Sequence, residues 1–241
     1  MIDFDLMRQA AAEVGVTLSD QQIQKLDTYA ALLVEWNEKM NLTAITDPHD
    51  VAVKHFADSL SAAPLLPSSK FSLVDVGTGA GFPSVPLAIV RPDMQVTLLD
   101  SLNKRLVFLQ EVCRELGLSA VTVHARAEEG ARRKELREKF DVATARAVAA
   151  LPTLSEYCLP YVKVGGQFLA MKGPGAEDEL TAAKGAIKKL GGGEATAHKL
   201  RLPPNKNGDR EERVILCIGK QFHTAPAYPR QSAKIAKDPL K

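Results

Sequence analysis

LVDVGTGAGFPSVPLAIV, residues 73–90, places glycine at every second position of a turn between two apolar runs, at Gly77, Gly79 and Gly81. The first run predicts a buried β-strand and the second predicts the helix that follows it. A glycine-rich turn between a strand and a helix is the ligand-binding position of doubly wound α/β folds. Glycine permits positive φ there and lets a ligand contact the backbone. The stretch therefore predicts a ligand site.

The composition is that of an ordinary globular protein of 241 residues, 45% apolar and 25% charged, which can bury a sizeable core. The net charge of +2 means that any nucleic-acid surface is a local patch. Three scattered cysteines exclude a disulfide framework, and five histidines without ligand spacing predict no metal site. We also expect no signal peptide and no membrane segment, hence a cytoplasmic protein, and nothing in the sequence indicates an oligomer.

The chain divides into three predicted parts: a helical extension (1–67), an α/β domain (68–220) and a basic tail (221–241). In the extension, Ser19 and Gln22 form a capping box that begins a long helix. A second helix is expected to begin at Asp47 or Pro48 and to end near Pro64.

In the α/β domain, strands and helices alternate at βαβ spacing, which predicts a doubly wound, mainly parallel sheet. The charged stretch 128–139 is expected to be one of the helices. Residues 194–202 and 213–220 predict two further strands, joined by a loop that contains proline and asparagine, which pair antiparallel at one edge of the sheet.

The pattern of the turn distinguishes two classes of ligand. A dinucleotide site favours GxGxxG, but Phe82 occupies the third glycine position, which argues against a dinucleotide oxidoreductase. The pattern is DxGxGxG, in which Asp75 can attract an amino group. S-adenosylmethionine carries such an ammonium group and has no pyrophosphate, so it is the predicted cofactor.

Polar residues follow the next three strands, and the carboxyl ends of parallel strands meet at one crevice. Asp100 is placed to accept hydrogen bonds from ribose hydroxyls, Ala127 and Glu128 to flank an adenine, and Arg146 to reach the same edge. Each also has a structural interpretation: Asp100 as a helix N-cap, Glu128 as a solvated acid at a helix start, and Arg146 as an ion-pair partner.

The block 73–93 with 96–112, the preceding 36–60 and later blocks TARAVAAL and FLAMKG closely resemble the ribosomal RNA small subunit methyltransferase G family, also called the glucose-inhibited division protein B family. The resemblance covers residues 20–240 and implies a Rossmann-like class I methyltransferase fold. It implies methyl transfer from S-adenosylmethionine to N7 of a guanine in 16S ribosomal RNA, within the small subunit. The resemblance is weakest in the tail, where the sequence Ser-Ala-Lys-Ile-Ala departs from the family's pattern. The family's cofactor positions correspond to Gly77, Phe82, Ala127, Glu128 and Arg146.

Guanine N7 has an in-plane lone pair and no proton, so its methylation needs no general base. The sequence agrees, because it contains no Asn-Pro-Pro-aromatic motif and no Pro-Cys nucleophile. Candidates for holding the guanine, beside Arg146, are Asn41, His55 and Asp58. Asn41 could equally be a helix C-cap, and His55 and Asp58, at i and i+3, could simply pair with each other.

RNA contacts are predicted at Lys172, after the fifth strand, and at Arg230, Lys234 and Lys237 in the tail. Contacts with RNA are predicted for the tail because the segment from Lys220 onward has five basic residues and one acidic residue. A charge run is also the ordinary appearance of a solvated face, and Lys172 could merely end a strand. Two other functions remain open on the sequence: a small-molecule methyltransferase, and a catalytically silent nucleotide-binding or assembly module.

Overall fold

A seven-stranded β-sheet forms the centre of the protein, and the computed structural model describes all 241 residues around it. The strands are β1 (Phe71–Val76), β2 (Met94–Asp100), β3 (Ala120–His124), β4 (Phe140–Arg146), β5 (Val162–Lys172), β6 (Gly192–Arg201) and β7 (Glu212–Lys220).

The strand order is β3-β2-β1-β4-β5-β7-β6. Strands β1 to β5 are parallel, whereas β7 runs antiparallel to both β5 and β6. The predicted parallel sheet with an antiparallel edge pair is therefore confirmed. The chain reverses its winding direction between β1 and β4, and a doubly wound sheet opens a ligand crevice at that point.

Ten α-helices accompany the sheet, with a π-helical segment at Val51–Ala57 and single 3₁₀ turns at Ala63–Leu65 and Leu159–Tyr161. The α-helices are α1 (Phe4–Glu13), α2 (Asp20–Met40), α3 (Pro48–Asp50), α4 (Asp58–Leu60), α5 (Ser84–Val90), α6 (Asn103–Leu116), α7 (Ala127–Gly130), α8 (Leu151–Cys158), α9 (Ala176–Lys189) and α10 (Ser232–Lys237).

The N-terminal helices share one apolar core with a face of the sheet. Ser19 and Gln22 form the predicted capping box at the start of α2. From that helix Leu26, Tyr29 and Leu33 are fully buried in the same cluster as sheet and helix residues as distant as Ile215. The extension is thus packed against the domain over its length, and burying these side chains contributes about 1.5–3 kcal/mol each.

The second predicted helix is interrupted by the π-helical segment. Asp47 caps it, because its Oδ1 accepts a hydrogen bond from the Asp50 N–H (3.2 Å), and Pro48 is its first residue. Residues 51–57 are then wound more widely before α4 begins. Segments of π-helix are frequent at functional sites, and this one carries Lys54 and His55.

The charged stretch 128–139 is not the continuous helix that its composition predicted. Only α7 is helical, and turns follow it as far as Glu138, which has a φ of 51°. Arg137 explains the difference, because its guanidinium donates to the carbonyls of Thr224 (2.7 Å) and Tyr228 (2.8 Å). The stretch is therefore shaped by its contacts with the C-terminal segment. Helices α8 and α9 were not predicted individually.

The C-terminal segment packs against the domain. Ile235 is fully buried and Leu240 is 7% exposed. Lys220 is buried too: its ammonium donates to the carbonyls of Leu159 (2.8 Å) and Leu190 (3.0 Å), and burial lowers its pKa to about 8. Lys220 therefore does not belong to the basic surface with which it was counted.

Arg230 fastens this segment through an ion pair with Glu156 of α8. The Glu156 carboxylate is completely buried and accepts from the Arg230 backbone N–H (2.7 Å), Nε (2.9 Å) and Nη2 (2.7 Å). The Arg230 side chain is only 11% exposed. The geometry gives Arg230 a structural role and does not support the predicted contact with RNA.

We expect Arg230→Ala to lower the free energy of unfolding by about 3–5 kcal/mol, because it leaves the buried Glu156 carboxylate without a counter-charge. Urea denaturation of the full chain measures the change. The control is Lys234→Ala, an exposed lysine of the same segment, which should change stability by less than about 0.5 kcal/mol. Equal stability of the two variants would contradict the structural role of Arg230.

Candidate functional site

A crevice of about 320 Å³ opens at the carboxyl ends of β1, β2 and β3. It lies where the winding direction of the sheet reverses. Of the residues predicted to bind a cofactor, Gly77, Asp100, Ala127 and Glu128 line it. Its apolar lining includes Val76, Leu99, Ala125 and Val148.

The three glycines of the turn have different functions, although all have positive φ. A Cβ on Gly77 would lie 2.9 Å from a methyl group of Val148, on the crevice side. A Cβ on Gly81 would lie 2.6 Å from the hydroxyl of Tyr29 and 2.8 Å from Val85, inside the protein. Gly79 has free space and needs only its left-handed backbone. The close approach at Gly81 is therefore required by packing, not by a ligand.

Helix α2 holds this turn in place. The Tyr29 hydroxyl donates a hydrogen bond to the carbonyl of Ala80, within the turn. Tyr29 also stacks on Phe82, with ring centroids 5.4 Å apart. The N-terminal extension therefore supports the glycine turn directly.

Asp75 lies beneath the turn and does not line the crevice. Its carboxyl group is fully buried, Oδ2 accepts from the Thr78 hydroxyl (2.8 Å), and Oδ1 has no partner. Burial raises its pKa to about 7. The predicted contact with an ammonium group is not supported by this position, and Asp75 instead orders the turn through Thr78.

Asp100 connects the turn to helix α6. Its Oδ2 accepts from the Gly79 N–H (3.0 Å) and its Oδ1 from the Leu102 N–H (2.8 Å). Asp100 is not the N-cap of α6, which is Leu102. Its carboxylate instead accepts from the N–H of that cap residue, and Asp100 borders the crevice at 2% exposure. This carboxylate therefore orders the backbone of the turn and also lies at the crevice.

Glu128 faces the crevice without a partner. It lies in the first turn of α7, is 6% exposed, and makes no hydrogen bond or ion pair with another side chain. Neighbouring Ala127 is fixed because its carbonyl accepts from the Tyr161 hydroxyl (2.6 Å). A nearly buried carboxylate without a partner is costly, so Glu128 is the clearest indication of a ligand with hydrogen-bond donors.

A second cavity, of about 430 Å³, adjoins the crevice, and Ala147 lines both. It contains His55, Asp58, Arg146 and Lys172, which the sequence analysis selected. Arg146 therefore belongs to the second cavity and does not line the crevice in which its cofactor contact was expected.

Arg146 is held from several directions. Its Nη1 donates to Asp58 Oδ2 (2.7 Å) and to the Lys54 carbonyl (3.2 Å), and its Nη2 lies 3.4 Å from His55 Nδ1. The guanidinium also lies over the Phe82 ring, 4.9 Å from its centre. The ion-pair interpretation of Arg146 is thus correct, and the pair borders the cavity.

His55 is a neutral hydrogen-bonding residue. Burial and the Arg146 charge lower its pKa to about 3. Because a guanidinium can only donate, His55 Nδ1 accepts and Nε2–H donates to the Thr43 hydroxyl (2.8 Å). Its ring stacks on Phe82 at 4.4 Å. Phe82 is therefore buried between His55 and Tyr29, and its side chain supports the position of the His55 ring.

Sequence reasoning missed Arg213, which completes this cluster. Its Nε donates to Asp58 Oδ1 (3.2 Å), so that Asp58 binds an arginine with each oxygen. The only sequence signal for Arg213 was the predicted antiparallel edge strand. Because β7 begins where β5 ends and Val214 pairs with Lys172, Arg213 lies at the same end of the sheet as Lys172. Ser232 of the C-terminal segment, at the crevice, was also missed.

The remaining predicted residues lie elsewhere. Asn41 ends α2 in the left-handed conformation with a φ of 50°, is exposed, and lines neither cavity, so the structure gives it the C-cap position. Lys234 and Lys237 are exposed on α10. No cluster of His, Cys, Asp or Glu is arranged to hold a metal ion. None of the helices combines the length and the apolar character needed to cross a membrane.

Comparison with known proteins agrees with this geometry. The chain is similar to Ribosomal RNA small subunit methyltransferase G of Clostridium perfringens, 48% identical over 241 residues with 99% of each chain covered. The protein of that name from Halalkalibacterium halodurans is 50% identical, with 97% of each covered. Among solved structures, precorrin-6y C5,15-methyltransferase of Geobacter metallireducens matches 69% of this chain and 87% of its own, with a TM-score of 0.50 at 16% identity.

The strand order, the glycine turn and the crevice at the reversal of the sheet define a Rossmann-like class I methyltransferase fold. The family model for rRNA small subunit methyltransferase G matches residues 22–206. The chain belongs to that family, which confirms the resemblance seen in the sequence.

The low pKa of His55 predicts a pH-dependent stability. The pKa is about 3 in the folded state and about 6.5 in the unfolded chain, so the unfolded state binds the proton first as the pH falls. Stability due to neutral His55 is therefore present above pH 6.5 and is lost towards pH 3, by about 2 kcal/mol between pH 6 and 4.5. Urea denaturation of wild type and His55→Asn across this range measures it. Identical pH slopes in the two proteins would contradict a neutral, buried His55.

Proposed function

We propose that this protein transfers the methyl group of S-adenosylmethionine to N7 of a guanine in 16S ribosomal RNA. One observation carries the proposal: two cavities adjoin at Ala147. The first is the crevice, with its glycine turn and the unpaired Glu128 carboxylate, and the second is lined by fixed charged groups. The first suits a cofactor with hydrogen-bond donors, and the second suits a polar base. The names of the relatives, which are rRNA methyltransferases, support the substrate class.

The crevice fits S-adenosylmethionine in its donor chemistry. Glu128 has free carboxylate oxygens for hydroxyl or amino donors, and Asp100 presents a second carboxylate at the crevice. The apolar lining, with Ala125 and Val148, suits an adenine, and Gly77 presents its backbone at the crevice. When bound, S-adenosylmethionine supplies an electrophilic methyl group on a sulfonium centre.

N7 carries no proton and requires no general base, and the reaction uses neither His55 nor Asp58 as one. His55 is neutral, and its Nδ1 faces the Arg146 guanidinium. Asp58 uses both oxygens for arginines. The residues of the cavity therefore act by holding the base in position, and correct orientation of reacting groups is worth up to about 7–11 kcal/mol of the barrier.

Charge favours the same reaction. Methylation at N7 leaves a positive charge on the purine, which nearby carboxylates stabilise. Asp58 and Glu179 both line the second cavity. A base can reach such a cavity only when it is turned out of its helix or is already unpaired.

RNA contacts outside the cavity are proposed at Lys234 and Lys237, whose side chains are exposed. Lys172 is not proposed as a phosphate contact, because its ammonium pairs with Glu179 at 2.7 Å and its side chain is 11% exposed. With so modest a net charge, we propose that the RNA is presented by the small ribosomal subunit, which places the reaction in the cytoplasm.

The proposed reaction predicts methyl transfer from labelled S-adenosylmethionine to small subunits that lack the modification. Nucleoside analysis should recover the label as 7-methylguanosine. Label in another nucleoside would keep the RNA methyltransferase class but contradict N7 as the target. Cofactor binding without any label in RNA would favour a small-molecule acceptor or a silent binding module.

We expect Gly77→Val to abolish binding of S-adenosylmethionine, measured by calorimetry. Its Cβ would press on Val148 at 2.9 Å, its branched side chain would enter the crevice, and the φ of 74° is strained for any β-branched residue. Gly173→Ala is the matched control, because a Cβ there meets nothing within 4 Å and its φ is ordinary. Wild-type affinity in a folded Gly77→Val protein would exclude this turn as the cofactor site.

A further inference from the structure

Lys172 and Glu179 form a donor–acceptor pair on one wall of the second cavity. We propose that this pair recognises the Watson–Crick edge of the target guanine: Lys172 donates to O6, and Glu179 Oε1 accepts from N1–H and the 2-amino group. The inference rests on the proposed function and names the residues that select the base. Neither Glu179 nor a base-reading function of Lys172 was foreseen from the sequence.

The two side chains are fixed by the fold. Lys172 is the last residue of β5, and Glu179 lies in the first turn of α9. Lys172 Nζ donates to the Ala149 carbonyl (2.7 Å) and forms an ion pair with Glu179 Oε2 (2.7 Å). Glu179 Oε2 also accepts from the Leu151 N–H (2.7 Å), at the start of α8. The pair is therefore anchored before any base arrives.

Each member of the pair keeps unused hydrogen-bonding capacity. An ammonium group has three N–H donors; Lys172 gives one to the Ala149 carbonyl, and its remaining contact is the ion pair with Glu179. Glu179 Oε1 accepts no hydrogen bond, and the Glu179 side chain is 36% exposed. One donor and one acceptor thus remain side by side for a ligand.

The other charged groups of the cavity are already committed. Both oxygens of Asp58 accept from arginines, one from Arg146 and one from Arg213. The lone pair of His55 Nδ1 faces Arg146. Of the two carboxylates that line the cavity, only that of Glu179 has an oxygen without a partner.

Guanine has the complementary pattern along one edge, where O6 accepts and the adjacent N1–H and 2-amino groups donate. One carboxylate oxygen can accept from both donors, because their N–H bonds point to the same side. Adenine places a donor where guanine has O6 and an acceptor at N1, so it mismatches both residues. N7 lies on the opposite side of O6 from N1 and remains free for the methyl group.

The test compares small subunits that carry guanosine or inosine at the target position, since inosine lacks only the 2-amino group. Wild type should favour guanosine in kcat/KM for 7-methylation. Glu179→Gln should lower kcat/KM on guanosine about ten- to a hundredfold, the range for a lost base contact, and bring the guanosine-to-inosine ratio close to one. The amide oxygen of glutamine can still accept from the Leu151 N–H, so helix α8 keeps its contact.

Glu177→Gln is the control, because Glu177 lies in the same helical turn but pairs with Lys199 in the open, outside the cavity. It should keep the wild-type ratio and stay within about twofold of wild-type activity. A Glu179→Gln protein that loses activity equally on guanosine and inosine, or loses none, would overturn the proposal. Absence of 7-methylation by wild type would instead contradict the proposed function itself.

Discussion

The ion pair between Arg146 and Asp58 connects the parts of this protein that make up its site. Arg146 ends β4, in the sheet, whereas Asp58 begins α4, in the N-terminal extension. Their contact at 2.7 Å is nearly buried, with side chains 15% and 5% exposed. A buried charge without a counter-charge lowers the stability of the folded state, so Arg146 and Asp58 each stabilise the fold only while they remain paired. The extension and the sheet are therefore held in one arrangement at the point where the two cavities meet.

Other contacts of the site follow from that arrangement. His55 is one turn from Asp58 and receives a hydrogen bond from the same guanidinium. Phe82, directly after the glycine turn, contacts both the His55 ring and the Arg146 guanidinium. Arg213 brings the antiparallel edge of the sheet to Asp58. The π-helical segment, which carries Lys54 and His55, ends immediately before Asp58.

The basic residues of the C-terminal segment divide into buried ones, which pair with groups of the domain, and exposed ones. Its basic composition suggested a solvated surface for RNA, but Arg230 and Lys220 neutralise or satisfy buried groups of the domain. These contacts place Ser232 at the crevice. Lys234, Lys237 and Lys241 remain exposed at the surface. Burial, which is a tertiary property, therefore decides which of the cations is available to a phosphate.

The sequence by itself determined the fold class, the glycine turn, the capping box and most of the crevice, because these depend on local patterns: apolar runs, glycine spacing and residues at strand ends. It also determined the family. Only the tertiary structure decided that Asp75 lies below the turn, that Arg146 belongs to the second cavity, and that Arg213 and Glu179 border that cavity. The reason is that a charged side chain is assigned by its partners, which come from strands and helices far apart in the chain.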